Sequence, residues 1–398
     1  MDKMLDKLRE YQKKYLKKHN FTYKRYFYDK INFNNRLIGI LGARGVGKTT
    51  FLLQYLKELN IPFSKKLYIS ADTILVNSIF EIAEEFEKEE GEILIIDEIH
   101  KYPNFEIELK QIYDMLDLKV IFSGSCALKI DNAKADLSRR AIIYEVEGLS
   151  FREFLELKLD ITLPTYSLED IVENHIDIAY ELLNNFNLKL NFREYIKQGY
   201  YPFYFEDKDD YLIRLDNTIN AVIEVDIPSI FPIEYDSVVM LKKLVYMICA
   251  SQPYTPNIKE LLIKIGMKDN YKGFYKFLYY LEKAKIIRNI KPKSRGDNIF
   301  TKPDKIYLNN TNLHFSYCEN SEIGTIREVF FASMLFDRNI QLVKKGDFLV
   351  DDKYIFEIGG KNKTKKQIKN IENSFIVKDD IEVGSSNIIP LWLFGFLY

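Results

Sequence analysis

The chain has 398 residues, more than one hydrophobic core usually supports, so two or three domains are expected, each able to bury a core of its own. Lysine and arginine number 57 against 58 aspartates and glutamates, a net charge of -1, which excludes a globally basic nucleic-acid binder and confines such contacts to local patches. The three cysteines, Cys126, Cys249 and Cys318, are far apart, odd in number and without metal-ligand spacing, which fits a reducing cytosol.

Residues 1–30 are rich in Lys and Arg, and Met4, Leu8, Tyr11 and Tyr15 recur at helical spacing. A basic amphipathic helix docked by its apolar face is expected, its charged side either solvated or in contact with nucleic acid. Charges stud Met1 to His19 where an export signal carries an apolar stretch, and no apolar run approaches the length of a membrane span; a cytoplasmic protein is expected.

The apolar run Leu37 to Leu41 feeds into Gly42-Ala43-Arg44-Gly45-Val46-Gly47-Lys48-Thr49, followed by Thr50, which satisfies G-x-x-x-x-G-K-[ST]. Phosphate oxygens must approach successive backbone N–H groups, so the turn needs glycine where a side chain or a restricted φ interferes. The helix that follows, marked by Leu52, Tyr55, Leu56 and Leu59, points its N-terminus at the anion. Lys48 is placed for the β and γ phosphates and Thr49 for Mg²⁺, so ATP and Mg²⁺ are the expected ligands.

Leu67 to Ser70 reads as a short strand, and Leu75, Ile79, Ile82 and Phe86 as one face of a helix. Ile93 to Ile96 then forms a strand buried on both faces, with Asp97 and Glu98 emerging at its C-terminal end, where open α/β sheets bind ligands. Asp97 is expected to orient Mg²⁺ and Glu98 to polarise the attacking water. The extra strand between the glycine loop and Asp97-Glu98 suggests the additional-strand division of P-loop ATPases. Lys119 to Phe122 is another strand, ending in Ser123-Gly124-Ser125, and Ser123 is the candidate for contacting the γ-phosphate or the water. Arg139-Arg140 precedes a strand over Ala141 to Val146; Arg140 is either a finger reaching a neighbouring subunit's γ-phosphate, which implies a homo-oligomer, or a surface ion pair.

The segments GARGVGKTT, LIIDEIHKYPNFE, FSGS, LSRRAIIYEVEGLSFREFLEL and QGYYPFYFE together resemble AAA-type ATPases whose P-loop domain is followed by a C-terminal region of unclear function. In that family a Gly-Arg pair precedes the last strand and a Pro-Leu-Ser-Phe-x-Glu-Phe segment follows it. Here Arg140 matches the family arginine, while Arg139 and Gly148 depart. Whatever its ancestry, Ser150 with Glu153 is a capping box that opens a helix.

After a linker at Ile161 to Thr165, amphipathic helices are expected near Leu168 to Phe186 and Phe192 to Gln198, with Gly199 as a stop, and a third through Tyr211, Leu215, Ile219 and Val222. Leu241 to Ala250, Asn257 to Ile265 and Phe274 to Lys285 read as three more, followed by strands at Ile286 to Arg288 and Lys305 to Leu308. This is a winged-helix pattern, with Lys272, Lys276, Lys291, Lys293, Arg295 and Lys302 suited either to DNA phosphates or to a scaffold that never meets DNA.

A helix near Ile323 to Phe336 opens the last module. Asp347, a strand, a turn at Asp351-Asp352 and a strand ending Phe356-Glu357-Ile358-Gly359-Gly360-Lys361 resemble the PD-(D/E)xK nuclease core, to which the family's C-terminal region is similar. Asp347 and Glu357 are expected to share Mg²⁺, Glu328 to add a ligand, and Lys361 to stand in for the motif lysine, whose position Gly359 occupies. Lys361, Lys363, Lys365, Lys366 and Lys369 form a basic run suited to a DNA backbone with or without cleavage. Asn387 to Tyr398 reads as a buried terminal strand.

The expected architecture is α/β: a basic helix over 1–30, an AAA-type P-loop domain over 31–160, a helical lid or connector over 161–235, a winged helix over 236–310 and a nuclease-like domain over 311–398. Three functions compete: an ATPase that rearranges its C-terminal modules on nucleic acid, a nucleotide-gated scaffold for a protein partner, and a DNA nuclease licensed by ATP.

Overall fold

In the computed structural model, which describes residues 2–18, 23–72, 78–124, 137, 139–231, 233–250, 258–293, 305–318 and 320–398, the run before the glycine loop is a strand, β1 (Leu37–Gly42), buried along its whole length. Its neighbours β4 (Lys119–Gly124) and β5 (Ala141–Val146) run parallel to it, β3 (Ile93–Asp97) pairs in parallel with β4, and β2 (Lys66–Ser70) with β3. The sheet order is β2-β3-β4-β1-β5. The strand of the sequence reading that lies between the glycine loop and Asp97 along the chain, β2, is therefore at the sheet's edge. The strand that separates β1 from β3 in space is β4. All five strands are parallel, so all their C-terminal ends lie along one rim, which is where such sheets bind ligands.

Helices α1 (Asp2–Lys18), α2 (Lys48–Glu58), α3 (Ile79–Lys88) and α4 (Phe105–Met115) accompany this sheet in a first compact unit, residues 1–148. Ser78 and Glu81 form a reciprocal capping box that fixes the start of α3. Leu5, Leu67, Leu94, Ile96, Phe86 and Phe122 share one apolar cluster. Each fully buried aliphatic side chain in it contributes about 1.5–3 kcal/mol relative to exposure. Of the expected docked face of α1, Met4 and Leu8 pack against this cluster and Tyr15 against Tyr68, whereas Tyr11 is 39% exposed and the fully buried positions are Leu5 and Gln12. Gln12 turns inward because its amide completes backbone bonds of β2, a use the apolar periodicity does not register.

The second unit, residues 149–398, begins with α5 (Phe151–Leu159), opened by the Ser150–Glu153 capping box. Then come α6 (Leu168–Leu183), α7 (Leu188–Gln198, closed at Gly199), α8 (Tyr211–Ala221), a π-helical turn at Val222–Asp226 and α9 (Ile227–Ile230). Next are α10 (Tyr235–Ala250), α11 (Ile258–Ile265), α12 (Tyr271–Lys283) and the antiparallel pair β6 (Ile287–Ile290) and β7 (Lys305–Leu308). Asn270 caps α12 through the Gly273 N–H. Asn257, the expected first residue of α11, Arg295 and Lys302 of the loop, and Ser125 and Cys126 of the first unit lie outside the described residues. Cys249 in α10 and Cys318 are joined in a disulfide across a sequence separation of 69, with Cα atoms 5.6 Å apart. The cysteine spacing gave no sign of this pair, and it departs from the expectation drawn from a reducing compartment.

After α13 (Thr311–Tyr317) and α14 (Ile323–Met334) comes a mixed sheet of β8 (Ile340–Leu342), β9 (Phe348–Val350), β10 (Tyr354–Gly359), β11 (Ser374–Lys378) and β12 (Ile388–Pro390), in the order β12-β11-β10-β9-β8. The C-terminal run is buried as expected but is strand only to Pro390; Leu391–Phe396 is a 3₁₀ helix. Proline tolerates only an edge or end of a strand, and the apolar residues after it bury by wedging aromatics, Phe394 on Phe331 and Phe396 on Phe151. Among the described residues no helix is long and apolar enough to cross a membrane.

Candidate functional site

The glycine loop is shaped by backbone demands that can be read residue by residue. Gly45 and Gly47 take φ of 85° and 93°, the left-handed region that side chains disfavour. At Gly42 a Cβ would lie 2.4 Å from the Val146 carbonyl oxygen of β5, so bare backbone is needed there for close approach. Ala43 and Val46 are buried, and Arg44 and Thr50 are exposed. Lys48 begins α2, is buried, and donates from Nζ to the carbonyls of Gly42 at 3.1 Å and Ala43 at 2.9 Å, which holds the ammonium against its own loop.

Asp97 ends β3 on the same rim. Its Oδ2 accepts from the Thr49 hydroxyl at 2.6 Å and from the Tyr68 hydroxyl at 2.8 Å; its Oδ1 accepts from the Ser123 hydroxyl and from the Glu98 N–H at 3.1 Å. Every lobe of this carboxylate is thus oriented. Ser123 is fully buried, and its Oγ also accepts from the Glu98 N–H at 3.1 Å. The hydroxyl of Ser123, the candidate for contacting the γ-phosphate or the water, secures the tip of β3. The role of Tyr68 was not foreseen. It is the second strand's inward aromatic, and only the lateral pairing of β2 with β3 reveals that its hydroxyl reaches Asp97.

Mg²⁺ takes hard oxygen ligands and keeps several waters. A hydroxyl and a carboxylate with oxygens 2.6 Å apart beside a glycine loop are the donor types it favours, so Thr49 and Asp97 fit the ion. Among the described residues no three His, Cys, Asp or Glu side chains form a metal cluster.

Glu98 sits at φ 54°, a left-handed turn that swings its side chain off the strand axis. Its Oε2 lies 3.6 Å from Nε2 of the buried His100 and 3.8 Å from Nζ of Lys101. Burial pushes its carboxyl above the usual range, Lys48 pulls it down, and the Asp97 charge adds to the rise. Arg140 makes a two-pronged pair with Asp114 of α4, Nε and Nη2 each at 2.8 Å. This is the ion-pair alternative for that arginine.

A second group of charged side chains gathers in the other unit. Asp347, just before β9, accepts from the Ile358 N–H at 2.7 Å, which brings it alongside Glu357 of β10. Glu357 is fully buried and pairs at 2.5 Å with Nζ of Lys363. The Gln367 amide, turned nitrogen-inward, donates to both Glu357 oxygens at 3.3 Å. Burial raises the Glu357 carboxyl, against the pull of Lys363.

Lys361, expected to stand in for the motif lysine, is exposed and its carbonyl accepts from Lys378 at 2.9 Å; the lysine that pairs with Glu357 is Lys363. The reason is steric: a Cβ at Gly359 would lie 2.6 Å from Cδ of Lys363, so glycine there clears the path for a lysine returning from the turn. Glu328 of α14, the expected additional ligand, accepts from the Tyr307 hydroxyl and pairs with Lys305 at 3.3 Å. Burial raises its carboxyl as well.

Comparison with known proteins bears on both units. Residues 34–155 match a family model described as "AAA domain", and residues 189–317 one described as "Domain of unknown function (DUF8612)". The first match, with the parallel sheet and glycine loop, fits a P-loop ATPase domain. An uncharacterized protein of Methanocaldococcus jannaschii is 25% identical over 434 residues, spanning 96% of this chain and 90% of that protein. A solved structure, a Walker-type ATPase of Pyrococcus abyssi, is 13% identical with a TM-score of 0.42, covering 71% of this chain and 91% of that one.

Proposed function

We propose that this chain is a Mg²⁺-dependent ATPase whose hydrolysis cycle rearranges C-terminal modules that contact nucleic acid. The observation that carries the reading is the meeting of the Thr49 hydroxyl and the Asp97 carboxylate at 2.6 Å, beside a loop shaped for phosphate. Lys48 binds the β and γ phosphates, and Thr49 and Asp97 hold the metal ion. Mg²⁺, when bound, neutralises charge developing on the phosphates. Glu98 accepts the proton of the attacking water. Ser123 positions Asp97. Arg140 is left out of the chemistry, because its guanidinium is engaged by Asp114.

The nucleic-acid part of the proposal is supported by the three helices α10 to α12 followed by an antiparallel strand pair, with Lys272 and Lys276 exposed on α12. The decisive measurement is the ATPase rate with and without duplex DNA across a salt series. Stimulation that falls steeply with salt is expected, since phosphate neutralisation releases counterions. A rate indifferent to DNA at every salt removes the nucleic-acid part, and absence of hydrolysis removes the whole.

A second reading, cleavage of DNA by the second unit, is favoured by one observation, the contact of Lys363 with a buried Glu357 beside Asp347. Two carboxylates and a lysine are the groups that metal-assisted phosphodiester hydrolysis uses. Nicking that requires Mg²⁺ and disappears in Asp347→Ala and Glu357→Ala is the expected result; nicking unchanged by both variants rules this reading out.

A further inference from the structure

β2 is the edge of its sheet, and an edge strand offers backbone groups without a partner strand. Here α1 supplies the partner. Gln12 is fully buried, its Oε1 accepts from the Tyr68 N–H at 2.7 Å, and its Nε2 donates to the Lys66 carbonyl at 3.2 Å. A carboxamide has one acceptor and two donors in a fixed plane, so it can satisfy an N–H and a C=O of one strand together; neither a carboxylate nor an ammonium can. Tyr15, one turn further along α1, brings its ring to 5.4 Å from that of Tyr68.

The same Tyr68 reaches the nucleotide site from its other end. Its ring is buried, and its hydroxyl donates at 2.8 Å to Asp97 Oδ2, the oxygen that also meets the Thr49 hydroxyl. A buried phenol whose backbone is fixed by α1 and whose hydroxyl is fixed on Asp97 is a rigid strut between the two. We propose that Tyr68 is a positioning residue for the metal-holding carboxylate of Asp97, and that α1, through Gln12 and Tyr15, sets its position, so that docking of the N-terminal helix governs how strongly the site takes up Mg²⁺ with ATP. This rests on the ATPase reading above and adds to it a means of control by the helix.

The test uses the full chain and ATP carrying a ribose fluorophore, with affinity measured with and without Mg²⁺. The ratio of the two is the gain that the metal brings, and it needs no turnover. Tyr68→Phe keeps the ring and removes the hydroxyl. It is expected to leave metal-free affinity unchanged and cut the gain about tenfold, the scale of one hydrogen bond to a charged group. Gln12→Ala is expected to cut it about threefold, and the double variant to be no worse than Tyr68→Phe alone, because both act along one path.

A gain in Tyr68→Phe within twofold of the parent overturns the positioning role. Additive effects overturn the link to α1. A purely structural effect lowers the melting temperature and both affinities together, and that outcome also counts against the proposal. A parent chain that binds the probe in neither condition overturns the ATPase reading and this inference with it, whereas normal probe binding with an unmoved gain overturns only the inference.

Discussion

Thr49 and Asp97, 48 positions apart in sequence, bring hydroxyl and carboxylate oxygens to 2.6 Å. The contact joins the first turn of α2 to the tip of β3, two elements whose strands are not adjacent, since β4 lies between β1 and β3. It exists because a parallel sheet aligns its C-terminal ends on one rim.

Lys48→Ala is expected to abolish nucleotide binding in calorimetric titration with ATP. Lys48 is buried within its loop, and its loss leaves the phosphates without their principal counter-charge. Tight ATP binding by this variant contradicts the assignment.

Glu98→Gln removes the proton acceptor and keeps the shape. Hydrolysis should fall by about 10²–10⁴-fold, the range that general-base catalysis supplies, with ATP affinity retained. Normal turnover takes Glu98 out of the mechanism.

Lys363→Ala should destabilise the second unit by on the order of 3 kcal/mol, because it leaves the fully buried Glu357 without its cation. Lys361→Ala, at an exposed position, should cost less than about 0.5 kcal/mol. Urea unfolding of the two variants separates them, and equal costs would mean that Lys363 does not hold Glu357 in solution.

Acid should weaken the second unit in a definite window through Glu194. Burial pushes its carboxyl up, but Lys158, Lys208 and Tyr204 outweigh that and hold it down to about 2, against 4.5 ordinarily. A depressed acid adds stability above its unfolded pKa, and that stability is lost as pH falls from 4.5 toward about 2. The unfolding midpoint should decline across that window by an amount equivalent to roughly 2–3 kcal/mol, and Glu194→Gln should flatten the decline.

Reduction of the Cys249–Cys318 disulfide, which closes a loop across a separation of 69, is expected to cost about 2–4 kcal/mol. Thermal melting with and without a thiol reductant measures it, and Cys318→Ser should melt at the reduced protein's temperature. Identical melting of oxidised and reduced chains contradicts a stabilising role.

What the sequence discloses is the chemistry that needs a local pattern. The glycine loop, its strand and helix, and the acids at the tip of β3 are legible because each depends on neighbours within a few residues. Tyr68 is not, because its contact with Asp97 depends on β2 lying beside β3 in register, with Ser70 opposite Asp97. Lys363 is hidden for a different reason. Motif spacing takes the lysine from within the strand, at the position Gly359 occupies, whereas β10 ends at Gly359 and the lysine that reaches Glu357, Lys363, comes back from the turn beyond it. Gln12 escapes because a polar residue on an apolar helix face reads as solvent-facing, until a strand edge supplies it with partners. The Cys249–Cys318 pair joins segments that only the folded chain brings together.

The way Gln12 covers the border of the first sheet has a consequence for handling the protein. A version trimmed of residues 2–18 keeps the glycine loop intact but bares the main-chain groups of Lys66 and Tyr68, the template on which strands of other molecules stack. Such a truncation should therefore be lost first to self-association, on top of any weakening of its Mg²⁺ uptake.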